Sequence, residues 1–102
     1  MNDNKKYFID KKLKELLEYF NNGKNSEAEN LALMLTDQFP NNQLAWKVLG
    51  ALWWKKNKNL EALNAMQTAI KLSPNDPSAH YNLGIALKES GKLEEAEEAY
   101  RK

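Results

Sequence analysis

In this chain of 102 residues the groups that could do chemistry are few: one histidine, His80, the glutamates of "LEEAEEAY", and Lys55, Lys56 and Lys58 bunched near one turn. Three tryptophans, Trp46, Trp53 and Trp54, fall within "AWKVLGALWW". A single histidine in a chain without cysteine supplies no nucleophile paired with a base, so the inventory predicts no catalytic residue and no enzyme. The carboxylates Glu94 to Glu98 lie on a helical pattern with apolar residues between them and no ligand-bearing loop. They read as a solvated face, and no metal or cofactor is predicted. The lysines read as a solubility device rather than a phosphate site.

The tryptophans are different. On a helix, residues three, four and seven apart share a face, so Trp46, Leu49, Gly50 and Trp53 form one apolar stripe and read as core. Trp54 lies off that stripe and lines up with Lys47 and Ala51 on a mixed face. It reads either as an anchor for a partner or as the edge of the core, covered by Tyr7 and Phe8.

Composition bounds these readings. The chain is 42% hydrophobic and 28% charged with only 4 Gly and 3 Pro, which suits one helical domain with a continuous core. A net charge of +1 gives no field to hold nucleic acid. No segment has the apolar span of a membrane helix, and "MNDNKKYFID" lacks the apolar stretch of a signal peptide. With no cysteine, the predicted compartment is the cytoplasm, and the predicted partner is protein rather than nucleic acid or membrane.

The elements that position these residues recur. Gly50 returns as Gly84, Pro40 as Pro74, and Glu27-Ala28 as Glu61-Ala62 and Glu95-Ala96, each 34 residues on. Boundary residues divide the units. "SEAE" from Ser26 reads as a capping box with Glu29, Asp76 reads as a cap before Pro77, and Gly23 and Gly91 read as left-handed helix ends. Six helices are predicted, over residues 9 to 22, 26 to 38, 42 to 56, 60 to 72, 77 to 90 and 93 to 102. Glycine in a helix interior costs about 1 kcal/mol relative to alanine, and the predicted return is close approach, Gly50 to Ala62 and Gly84 to Ala96.

A period of 34 with W-x-x-L-G at Trp46 to Gly50 and Pro74 closing the unit resembles the tetratricopeptide repeat. Trp53 stands where that family carries tyrosine, His80 where it carries tryptophan, and Leu16 where its first helix carries glycine. The resemblance implies an all-α solenoid of stacked antiparallel hairpins with a right-handed superhelical turn. It makes residues 1–102 one domain, with repeats at 9–42, 43–76 and an incomplete 77–102.

In that family the first helices of successive repeats line a concave groove that holds a peptide or helical segment of a partner. Carried onto this chain, the candidate binding residues are Lys47, Ala51, Trp54, Lys55, Tyr81, Asn82, Ile85 and Lys88. Leu13, Lys14, Leu17, Phe20, Val48 and Glu89 lie at corresponding places on the same face. Asn82 resembles one rung of the asparagine ladder of O-linked N-acetylglucosamine transferase arrays, although the equivalent places hold Lys14 and Val48. Lys47 and Asn82 match two positions of a carboxylate clamp, while Ala51 and Ser78 depart from it.

The expected function is thus a protein-interaction module. The alternative is the N-terminal recognition segment of a larger enzyme, since the chain is similar to bacterial arrays that precede glycosyltransferase, sulfotransferase or methyltransferase domains. An open last repeat also predicts self-association that buries Leu87, Leu93 and Tyr100.

Overall fold

A computed structural model describes the backbone of residues 3–101 and the side chains of 4–91, 98 and 99. Five helices follow one another: α1 (Asp3–Asn21), α2 (Asn25–Gln38), α3 (Gln43–Lys55), α4 (Asn59–Leu72) and α5 (Pro77–Arg101). Each packs on the next, and α3 also touches α1 and α5. The even-numbered helices do not touch each other, so α1, α3 and α5 form an inner layer with α2 and α4 set outside it. This is the stacked-hairpin solenoid expected from the period.

The turns inside the first two hairpins are the same structure 34 residues apart. Lys24 N–H donates to Tyr19 O at 2.9 Å and Gly23 N–H to Phe20 O, and Gly23 takes φ 73°. One period on, Lys58 N–H donates to Trp53 O at 2.9 Å and Asn57 N–H to Trp54 O, with Asn57 at φ 63°. Both are Schellman ends, which need a left-handed residue that glycine or asparagine supplies most cheaply. The turn also explains why the expected capping box does not form. It leads straight into α2 from Lys24, so Ser26 lies inside the helix and Glu29 is free to bond Lys56 instead.

The third hairpin is the main correction. Six helices were expected, but α5 runs unbroken through Gly91, which keeps a helical φ. The residues after Gly91 are mostly glutamate, alanine and lysine, so continuing the helix adds one backbone bond per residue in favourable types. With α5 extended, the molecule is 60 Å long and only 28 by 20 Å across. The expected contacts of Ala96, Leu93 and Tyr100 lie outside the described residues.

Leu16, Leu35, Leu49 and Leu52 form the fully buried centre, with Ala28, Ala32 and Ala45 beside them. A second cluster joins Ala62, Met66 and Ala86 across α4 and α5. Trp53 packs on both clusters. Gly50 behaves as expected: a Cβ there would lie 2.9 Å from Met66 Cγ and 3.4 Å from Ala62 O, so its bareness allows α3 and α4 to meet. At Gly84 a Cβ would meet nothing within 4 Å, so the matching close approach is not made there.

Candidate functional site: the inner helix layer

The loops entering α3 and α5 share a device that fixes the inner helices. Asn42 Oδ1 accepts the Ala45 amide at 3.1 Å, and one period later Asp76 Oδ1 accepts the Ser78 amide at 3.0 Å. Both carboxamide and carboxylate satisfy amides at a helix start that have no intrahelical partner. Trp46 Nε1–H donates to Pro40 O at 2.8 Å, and His80 Nε2 lies 2.7 Å from Pro74 O, so that nitrogen carries the proton and donates. The histidine thus makes the same bond as the tryptophan one period earlier. Trp46 itself is half-buried against the core.

Across the seam between α3 and α5, Lys47 Nζ donates to Asp76 Oδ2 at 2.9 Å and to Ser78 Oγ at 2.8 Å. Gln43 Nε2 donates to the same carboxylate oxygen at 2.7 Å, and Ser78 Oγ–H donates to Asp76 Oδ1. The Lys47 ammonium, then the Gln43 amide and the Ser78 hydroxyl, hold the Asp76 carboxyl well below the usual carboxylate range. A depressed folded pKa contributes stability that is present above the unfolded value, about 3.9, and is lost as pH falls below it. Thermal melts at stepped pH are therefore expected to show a steeper acid loss in the native chain than in Asp76→Asn. Parallel curves below about pH 4 would count against the pairing.

At the seam between α1 and α3, Lys55 Nζ sits 4.6 Å from the centre of the Phe20 ring. Trp54 packs on the cluster of Ala62, Met66 and Ala86 and keeps part of its ring exposed. It bridges toward α5. Tyr7 and Phe8 do not cover it: Phe8 lies 6.3 Å from Phe39, at the other end of α3, and Tyr7 faces a shallow cleft along α1. Ala51 and Asn82 are half-buried; Tyr81, Ile85 and Lys88 are exposed, Tyr81 by 69% and Ile85 by 40%. The inner layer is thus a strip of Leu17 and Phe20, then Ala51 and Trp54, then Ile85 and Tyr81.

Two expectations change. Lys47, expected as a groove residue, is bonded directly to Asp76. Val48, at a groove position, is buried. The roles of Gln43 and Ser78 had no sequence signal of their own. Asp76 had one, because it occupies the cap place of Asn42 one period on with a charge added. Among the described residues no group of histidine and carboxylate side chains is placed to hold a metal ion, and no helix is long and apolar enough to cross a membrane.

The segment from Trp54 on α3, through α4, to Gly91 on α5 matches the family model described as TPR repeat, residues 54–91. This segment resembles a tetratricopeptide repeat. The chain is similar to parts of longer proteins. The peroxisomal targeting signal receptor of Kluyveromyces lactis is 38% identical over 60 residues, which is 59% of this chain and 11% of the receptor. That of Saccharomyces cerevisiae is 37% identical over 57 residues, 56% of this chain and 9% of the receptor. The cytochrome c-type biogenesis protein CycH of Rhizobium meliloti is 48% identical over 42 residues, 41% of this chain and 11% of CycH. The chain therefore spans about a tenth of the length of these relatives.

Proposed function

We propose that this chain is a protein-interaction module that holds an extended or helical segment of a protein partner along the inner layer. The observation that carries the reading is the exposure of Tyr81 and Ile85, large apolar side chains that continue the strip of Ala51 and Trp54. Such residues stay in water at a cost unless something covers them, and rigid rings bury much area with little loss of entropy. Lys14, Lys55 and Lys88 are exposed cations of this face, and Asn82 offers it a carboxamide; Lys47 is engaged by Asp76 and acts mainly in holding α5. The likeness to receptors named for a targeting signal supports a peptide as the bound form. In this reading the chain works in the cytoplasm by binding rather than catalysis, needs no cofactor, and holds neither nucleic acid nor membrane.

The test is to select a binding peptide from a displayed library and measure its affinity by fluorescence anisotropy. Tyr81→Ala and Ile85→Ala are each expected to weaken it about tenfold, roughly 1.4 kcal/mol, with the melting temperature little changed. Equal affinity in both variants would sink the groove assignment.

A further inference from the structure

The unbroken α5 leaves bare the face that α3 covers with α4. One period apart, Trp46, Gly50 and Trp53 correspond to His80, Gly84 and Leu87. Gly50 is buried under α4, but Gly84 is exposed and Leu87 is 50% exposed. The segment that the period assigns to this face, residues 92–101, is carried away from it as the second half of the same helix, where Glu98 and Ala99 are exposed.

We propose that a second copy of the chain covers this face, the two α5 helices packing antiparallel so that residues 92–101 of each lie on the first half of the other. The register follows from the hairpin already formed. Gly50 sits between Ala62 and Met66, with its Cβ position 3.4 Å from Ala62 O and 3.4 Å from Met66 N. Moved one period, Gly84 falls between positions 96 and 100, opposite residue 98, and the point halfway between 84 and 98 is residue 91. Gly91 therefore lies on the two-fold axis and meets its own copy. A Cβ there would meet nothing within 4 Å of the single chain. Glycine in a helix interior is unfavourable on its own, and close crossing of two helices at a bare backbone is what returns that cost. Exchange of one element between identical chains uses contacts the fold already makes within a hairpin, so no new surface chemistry is required.

Sedimentation velocity of the full chain over a concentration series is expected to show a monomer–dimer equilibrium. Gly84→Leu should fold, since its Cβ meets nothing in the single chain, and should weaken dimerisation at least tenfold by blocking the close approach. Because the chain has no cysteine, Gly91→Cys provides a second readout. Mild oxidation should link two copies rapidly, as a disulfide needs Cβ atoms about 4 Å apart, whereas Tyr81→Cys, set roughly 30 Å from its own copy along the helix axis in this register, should not. Adding Gly84→Leu to Gly91→Cys should abolish the link. A monomer at every soluble concentration overturns the proposal, whether α5 stays straight or folds back. So does a dimer that survives Gly84→Leu, or cross-linking of Tyr81→Cys as fast as Gly91→Cys.

Discussion

Trp53→Ala is expected to cost about 3–5 kcal/mol of stability, a large share of what holds a domain of this size together. The ring is half-exposed by area, so burial alone understates its weight. Its importance comes from position. It packs on the cluster centred on Leu16, Leu35, Leu49 and Leu52, and also on the cluster of Ala62, Met66 and Ala86. Removing it opens a void where the two meet, and surrounding helices held by neighbours on both sides collapse only partly into such a void. Its carbonyl also accepts the Lys58 amide in the second Schellman turn, but that bond belongs to the backbone and survives the substitution. Urea unfolding should show the midpoint fall while the slope stays near the native value. A loss under about 1 kcal/mol would mean that the two clusters are held together by something other than this ring.

Trp54→Ala carries the second large effect, and the property it changes is different. The partly exposed ring lies on α3 of the inner layer, and in the reading proposed above it anchors the partner segment. Truncation is expected to weaken binding of a selected peptide by more than about 2 kcal/mol, roughly thirtyfold, the scale of a hot spot. Because one side of the ring packs on Ala62, Met66 and Ala86, some stability goes with it, but less than at Trp53, which serves two clusters. Paired unfolding and anisotropy measurements on both variants separate the roles. If Trp54→Ala unfolds the chain as badly as Trp53→Ala, or leaves affinity unchanged, the three tryptophans are all core and the groove assignment fails.

The 34-residue recurrence was enough to place α2, α3 and α4 within a residue of their observed starts and ends, because each helix there is closed by local chemistry that repeats. Gly23 and Asn57 show this, with the same bonds and the same sign of φ. Gly91 stands at the equivalent place and behaves otherwise, since a left-handed residue permits a turn without compelling one. What holds a hairpin closed is the packing of its two faces. Ser26 misled for a related reason: its spacing to Glu29 suits a capping box, but the preceding turn leaves no extended residue for the box to occupy. Of the candidate site, the inner stripe was legible because helical periodicity alone assigns it. The bond from Lys47 to Asp76 was not, because it crosses between repeats at a separation set by how the hairpins stack.

The even-numbered helices make no contact with each other, while α3 is fastened to α1 and α5 along its inner side. A strip braced along one edge and open along the other bends most easily about the braced edge, as a hinged fan does. Small rotations at the α1–α3 and α3–α5 seams would change the curvature without breaking any contact between α2 and α4, which make none. The Phe20–Lys55 contact and the Lys47–Asp76 bond lie at those two pivots and set their stiffness. If the chain holds a partner segment as proposed, its inner curvature is expected to adjust to the girth of that segment, and those two side-chain pairs are the contacts such an adjustment strains first.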